Sequence, residues 1–242
     1  MPIQILPENT ELQYVQFGEA FIRFDNPEKL RSIKAQYILT TGKYFESFKY
    51  FDHYRTVIKN LLTCSQTIQA KIVESAKNLF RGDGSHKFCV HIRRGDFVNH
   101  PIFLPSEERF TISSTDYVLK KLKKNHSNLS VVAIGDGPRW VENLFANKSL
   151  YKNLASTKVY IHEMNEDPAV DICFGMMVCD SILLTSSTST NGWWIAYVIT
   201  PKPVFYRRKN SPLHMGRYQP RKSGALDYYL KRWIPLDENI VF

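Results

Sequence analysis

Residues 91–96 read His-Ile-Arg-Arg-Gly-Asp and follow directly on the apolar run Phe88-Cys89-Val90. Two adjacent guanidinium groups keep their charge at any ordinary pH, and each offers a planar fork of donors that fits phosphate oxygens in pairs. If a strand runs through this stretch, His91 and Arg93 lie on one face and Ile92 and Arg94 on the other, so one arginine reaches a crevice beyond the strand end. Gly95 lets the chain turn sharply, and Asp96 can orient an arginine or fix that turn. A plainer reading pairs Arg93 and Arg94 with Asp96 and the neighbouring Glu107 and Glu108 as surface ion pairs. Arg94-Gly95-Asp96 also spells an adhesion tripeptide, but adhesion needs an exposed mobile loop, and here an apolar strand feeds it.

Three further clusters carry polar chemistry. Ser186, Ser187, Thr188, Ser189 and Thr190 precede an apolar helix expected to start near Asn191 or Gly192, and hydroxyls at a helix start attract anions through the free backbone N–H groups. Simple N-capping accounts for the same residues. Gly135-Asp136-Gly137 ends a strand-like run, where Asp136 could accept hydrogen bonds from a base or ribose or serve the turn alone. Asp171 is the fourth polar point, on a helix where it could equally face solvent. Cys64, Cys89, Cys173 and Cys179 have neither C-x-x-C spacing nor histidine partners, so no metal site is expected.

The elements that must position these groups follow from periodicity. From residue 87 onward, β-rich runs at 88–92, 129–134, 158–161, 181–185 and 203–206 alternate with segments long enough for helices, namely 113–125, 137–148 and 167–180. Runs apolar on both faces, joined by helical crossovers, predict an α/β fold with a Rossmann-like, doubly wound parallel sheet over residues 87–242. Residues 1–86 read as one strand, an aromatic loop and one or two helices, too few strands for a second sheet.

With 242 residues and 43% hydrophobic content the chain can fill a core. Its net charge of +9 favours anionic partners. No carboxylate occurs between Asp180 and Asp227, a stretch that holds Lys202, Arg207, Arg208, Lys209, Arg217, Arg221 and Lys222. That segment is either a solvated basic face or, with the aromatics of 204–206, a surface for nucleic acid. The four cysteines sit in apolar surroundings, which predicts buried free thiols, with disulfides as the alternative in an oxidising compartment. The apolar run 172–184 is interrupted by Asp180 and too short to cross a bilayer, and the N-terminus has no signal-peptide pattern. Triplets starting at Asn125, Asn128 and Asn147 fit N-glycosylation acceptors, a weak pointer to the secretory route.

Together these residues resemble family 11 glycosyltransferases, the GDP-fucose-dependent α-1,2-fucosyltransferases. His91-Ile92-Arg93-Arg94-Gly95-Asp96-Phe97 is similar to the family's first motif, Gly135-Asp136 through Trp140 to its second, and Asp171 through Tyr197 to its third; residues 41–51 resemble a further family segment. The resemblance covers roughly residues 36–235. It implies a GT-B fold, of which residues 87–242 form the nucleotide-sugar-binding half and residues 1–86 an incomplete acceptor-side part. It further implies transfer of L-fucose from GDP-fucose to galactose O2 of a glycan, with inversion and without a metal or other cofactor. Donor binding then falls to Arg93, Arg94, Asp136, Asp171, Ser187, Thr188, Ser189 and Thr190, with Arg93 on the β-phosphate; Arg93, Arg94, Asp96 and His91 are the catalytic candidates. The expected partners are GDP-fucose and a galactoside glycan, with no nucleic acid, and a membrane only through an anchor not visible in this sequence. Family members in animals imply a Golgi-lumenal location, whereas the sequence as written would be soluble. Two departures stand out: the family's glycine-rich G-x-G-N-x-x-F turn is missing before residue 86, and Asn191 stands where an aromatic is common. A truncated relative that binds the donor without turning it over is the alternative.

Overall fold

The computed structural model describes residues 6–19, 22–42, 45–101, 103–163, 168–208 and 224–239. Two compact units divide the chain, Met1–Ile58 with Gln219–Lys231, and Lys59–Tyr218 with Arg232–Phe242. The division falls elsewhere than the 86/87 boundary read from the sequence, because the helix at Gln66–Phe80 packs with the helices of the larger unit.

In the smaller unit, β1 (Gln13–Val15) and β2 (Ile38–Thr40) form a parallel pair. The rings of Phe24 and Tyr50 lie 4.8 Å apart, and those of Phe17 and Phe45 5.9 Å apart. Asp227 organises this unit: its carboxylate accepts the Phe24 N–H at 3.1 Å and meets Lys49 Nζ at 2.5 Å, while its carbonyl accepts the Ser47 hydroxyl.

The larger unit starts within α1 (Arg55–Leu61) and continues with α2 (Gln66–Phe80). The Ser65 hydroxyl caps α2 by accepting the Ile68 N–H, and Arg81, in the left-handed conformation at φ 48°, ends it. There follow β3 (His86–Ile92), α3 (Glu108–Leu122), β4 (Leu129–Gly135), α4 (Pro138–Ala146), α5 (Lys152–Ala155), β5 (Lys158–Glu163), α6 (Pro168–Val178), β6 (Ser181–Leu184), α7 (Thr190–Ile199), β7 (Val204–Arg207) and β8 (Ile234–Leu236). The six strands form one parallel sheet in the order β5-β4-β3-β6-β7-β8, with Val90 in register with Ala133 on one side and Leu183 on the other. Relative to the first strand of the sheet this order is 3-2-1-4-5-6, the classical dinucleotide-fold winding. The expected α/β class and parallel sheet are therefore present.

Strand alternation assigns the faces. Val90 and Ile92 join Val131 and Ala133 in a core with Phe110, Val118, Leu119, Val141 and Leu144 from α3 and α4. The opposite face takes α2, α6 and α7; α6 and α7 approach so closely that a Cβ on Gly175 would come within 2.4 Å of Ile195. Helices thus cover both sides, which is why each strand reads as a continuous apolar run.

Three sequence expectations change. The four cysteines form Cys64–Cys173 and Cys89–Cys179 disulfides, with Cα atoms 5.9 and 5.6 Å apart, rather than free thiols. Their sequence separations of 109 and 90 leave no local spacing to read, since only the fold brings the partners within bridging range. Helix α3 begins at Glu108, not near Ser113: Ser113, Ser114 and Thr115 are buried inside it, and the Thr115 hydroxyl donates to the Thr111 carbonyl at 2.7 Å. β8 was not foreseen, being three residues long with Pro235 inside, a combination found at sheet edges.

Candidate functional site

The winding of the sheet reverses between β3 and β6, with β4 and β5 to one side and β7 and β8 to the other. In open α/β sheets, ligands settle in the crevice outside the carboxyl ends of the strands at such a reversal. Two loops border it, residues 93–107 after β3 and residues 185–189 after β6, and these carry most of the polar residues singled out from sequence.

Arg93 and Arg94 leave β3 on opposite faces. The Arg93 guanidinium meets Asp96 Oδ1 at 2.7 Å and Asp136 Oδ2 at 3.7 Å, and lies 5.4 Å from the centre of the Phe97 ring. Arg94 goes the other way, onto the Trp140 ring of α4 at 4.4 Å, and donates from Nη1 to the Ser106 carbonyl at 2.7 Å. Arg94 is therefore clamped by protein groups, whereas the first partner of Arg93, Asp96, has a side chain that is 64% exposed and makes a replaceable ion pair.

Asp136 ties the two strand ends together. Its Oδ1 accepts the Arg94 backbone N–H at 2.5 Å, and its Oδ2 lies where a Cβ on Gly95 would come within 2.7 Å, so a side chain at that turn would displace the carboxylate. Burial pushes the Asp136 carboxyl above the usual carboxylate range, against the pull of the Arg94 N–H and the Arg93 charge. Gly135, at φ 130°, lies against the Ile92 carbonyl, where a Cβ would sit 1.9 Å away. These contacts explain why β4 must end Gly-Asp.

His91 is fully buried on the α7 side of the sheet, and burial, reinforced by the Arg93 charge, depresses its pKa from 6.5 to about 3. Among the described residues its Nδ1 has no hydrogen-bond partner. A Cβ on Gly192, in the first turn of α7, would lie 2.6–2.9 Å from the His91 ring, so the helix start rests directly on the imidazole. The hydroxyl cluster divides in use. Ser186 donates to the Leu104 carbonyl and Ser187 to the Arg207 carbonyl, both fixing the loop, while Ser189 is the N-cap of α7 without a side-chain capping bond. Thr188 is buried and Thr190 exposed. Asp171 lies in the first turn of α6, buried, with Oδ1 3.8 Å from His162 Nε2, and the His162 ring stacks on Phe174 at 3.6 Å.

Sequence reasoning missed three participants. Ser106 and Thr185, both buried, bridge the two loops through hydroxyls 2.6 Å apart. Arg207 was counted as part of a basic face, yet it is completely buried, held by Glu238 and Glu107 and stacked over Phe110. Of the remaining cations in that segment, Lys202 donates to the Cys179 carbonyl and Arg208 pairs with Asp237, while Lys209, Arg217, Arg221 and Lys222 lie outside the described residues. No local motif marks Ser106; its role comes from a loop that folds back across the crevice. Among the described residues, no helix is long and apolar enough to cross a membrane.

The family model for glycosyl transferase family 11 matches residues 24–236. Two Caenorhabditis elegans proteins named galactoside 2-alpha-L-fucosyltransferase are similar to this chain. One is 27% identical over 260 residues, covering 98% of this chain and 62% of the relative, and the other 32% identical over 235 residues, covering 96% and 61%. The chain thus spans about three-fifths of the length of these curated relatives. Among solved structures, an Arabidopsis thaliana FUT1 variant in complex with GDP aligns with a TM-score of 0.49 at 10% identity, covering 82% of this chain and 51% of that one. With the family model spanning most of its length, this chain belongs to glycosyl transferase family 11.

Proposed function

We propose that this chain binds GDP-fucose in the crevice between β3 and β6 and transfers L-fucose, with inversion, to galactose O2 of a glycan. The observation that carries the reading is that Arg93 follows the end of β3 and α7 starts just after β6, so both stand at the carboxyl ends of adjacent parallel strands where the winding reverses. As the sugar–phosphate bond breaks, negative charge collects on the departing diphosphate, and preorganised cations and helix-end N–H groups stabilise it. Arg93 takes the β-phosphate by exchanging its exposed Asp96 partner while Asp136 continues to orient it. Arg94, stacked on Trp140, adds fixed positive charge and shapes the loop. Thr188, Ser189 and Thr190 line the start of α7, and Asp136 and Asp171 are the acceptors for the donor's base and ribose. Ser187, with its proton committed to Arg207, contributes through loop geometry. His91 supports α7 as a neutral ring: at a pKa of about 3 and fully buried, it is unsuited to take a proton from an acceptor hydroxyl. This scheme assigns the leaving-group charge to arginines and routes no step through a metal.

The two disulfides support folding in an oxidising compartment, in keeping with a Golgi-lumenal enzyme. The competing reading is a relative that binds GDP-fucose without turnover. One experiment separates them: the chain is incubated with labelled GDP-fucose and a β-galactoside, and both GDP release and fucosylated product are measured. Product linked at O2 supports transfer; GDP-induced thermal stabilisation without product supports the binding relative; neither signal sinks the donor-site assignment.

A further inference from the structure

Ser106 is completely buried between the two loops of the crevice, and all of its polar atoms are used. Its backbone N–H donates to the Arg93 carbonyl at 2.8 Å, its hydroxyl oxygen accepts the Arg93 N–H at 2.9 Å, and its carbonyl accepts Arg94 Nη1 at 2.7 Å. Arg93 is thus bracketed on both backbone groups by one residue, and the Arg94 guanidinium is tied to the same point.

The bracket extends across the crevice. Ser106 and Thr185 hydroxyl oxygens lie 2.6 Å apart, and the Thr185 hydroxyl donates to the His91 carbonyl at 2.7 Å. Since the Thr185 proton is committed to His91, Ser106 must be the donor to Thr185. The protons therefore run one way, from Arg93 N–H to Ser106 to Thr185 to the His91 carbonyl, linking β3 to β6 through two side chains. On either side of Ser106 the loop is gripped by buried Arg207, which donates to the Pro105 carbonyl at 3.1 Å and meets Glu107 Oε2 at 2.7 Å. Arg207 is itself anchored to Glu238 beyond β8.

We propose that Ser106 is the positioning residue of the arginine pair, holding Arg93 and Arg94 in register with the end of β6 through Thr185. Its functional consequence rests on the donor-site reading above. Without the Ser106 hydroxyl, the Arg93 N–H is buried with no acceptor, and the loop relaxes to relieve it. Small displacements of a group that must meet charge in the transition state cost far more in rate than in fold stability.

The test uses S106A, T185V, T185S and the S106A/T185V double variant, with two readouts. Hydrogen exchange in the ligand-free protein is followed at residues 91–97 and, as control, at residues 158–163; GDP affinity and the kcat and KM for GDP-fucose are measured alongside. We expect S106A and T185V to speed exchange at 91–97 but not at 158–163, and to weaken GDP binding about ten-fold each. The double variant should be no worse than either single one, because both cut one chain. T185S, which keeps the hydroxyl, should behave as wild type. Should S106A fail to fold, the T185V and T185S comparison decides alone. Unchanged exchange at 91–97 in a folded variant, T185S as impaired as T185V, or additive losses in the double variant would overturn the proposal. Wild-type protein that binds no GDP defeats the donor-site reading instead, and the exchange data still decide the role of Ser106.

Discussion

Gly192→Ala sets two well-understood effects against each other. Within a helix alanine is favoured over glycine by up to about 1 kcal/mol, and Gly192, in the first turn of α7, has no left-handed backbone angle that would penalise a side chain. On propensity alone the variant should be more stable. The added Cβ, however, would lie 2.6 Å from Nδ1, 2.8 Å from Cε1 and 2.9 Å from Cγ of His91. Turning the imidazole about its own bond cannot relieve the contact with Cγ, and the ring is enclosed in the sheet face. The start of α7 must therefore lift or His91 must leave its rotamer, an overpacking cost of about 1–3 kcal/mol. The net expectation is a loss of about 1 kcal/mol, a fall in melting temperature of roughly 2–4 °C. GDP binding should weaken more than stability does, because the displaced element carries the N–H groups proposed to meet the diphosphate. Thermal unfolding and GDP titration of the purified variant measure both. A variant more stable than wild type, with unaltered GDP affinity, would refute the claim that α7 is seated on His91.

Acid should destabilise the protein through His91. Its folded pKa of about 3 lies below the ordinary 6.5, so between these values the unfolded chain binds the extra proton and stability falls as pH drops. The loss from this residue is about 2 kcal/mol at pH 5 and roughly 5 kcal/mol below pH 3; urea unfolding at pH 7.5 and 5 measures it, and His91→Gln should remove that part of the slope. Reduction should matter as well: loops of 109 and 90 residues correspond to about 4–5 kcal/mol per bond in the chain-entropy picture, so a melting temperature unmoved by complete reduction would contradict the pairing. Arg207→Met should cost only about 1 kcal/mol, because the Glu107 and Glu238 side chains it leaves behind are 47% and 33% exposed and remain solvated while the Pro105 carbonyl loses its donor, and it should loosen residues 105–107 in hydrogen exchange.

Five of the six strands of the main sheet were legible because burial on both faces writes them as apolar runs, and their loops came with them. Arg93, Arg94 and Asp136 were found because glycine neighbours and adjacent charges are unusual at strand ends. β8 escaped because three residues with a proline leave no period to detect. The hydroxyls at 113–115 resembled a helix cap, yet the helix continues through them, and nothing local distinguishes a capping serine from a buried one. Ser106, Thr185 and Arg207 gain their roles only when residues 79 and 102 positions apart meet, as Ser106 does with Thr185 and Arg207 with Pro105. The disulfides were hidden for the same reason.

The central claim is that the β3–β6 crevice binds through the donor's diphosphate, with Arg93 as its principal contact. Calorimetric titration of wild type and Arg93→Ala with GDP and with guanosine tests it most directly. The account predicts that wild type binds GDP far more tightly than guanosine, and that Arg93→Ala, still folded, loses about 3 kcal/mol toward GDP with little change toward guanosine. Equal affinity of wild type for the two ligands, or GDP binding untouched by loss of Arg93, would contradict it.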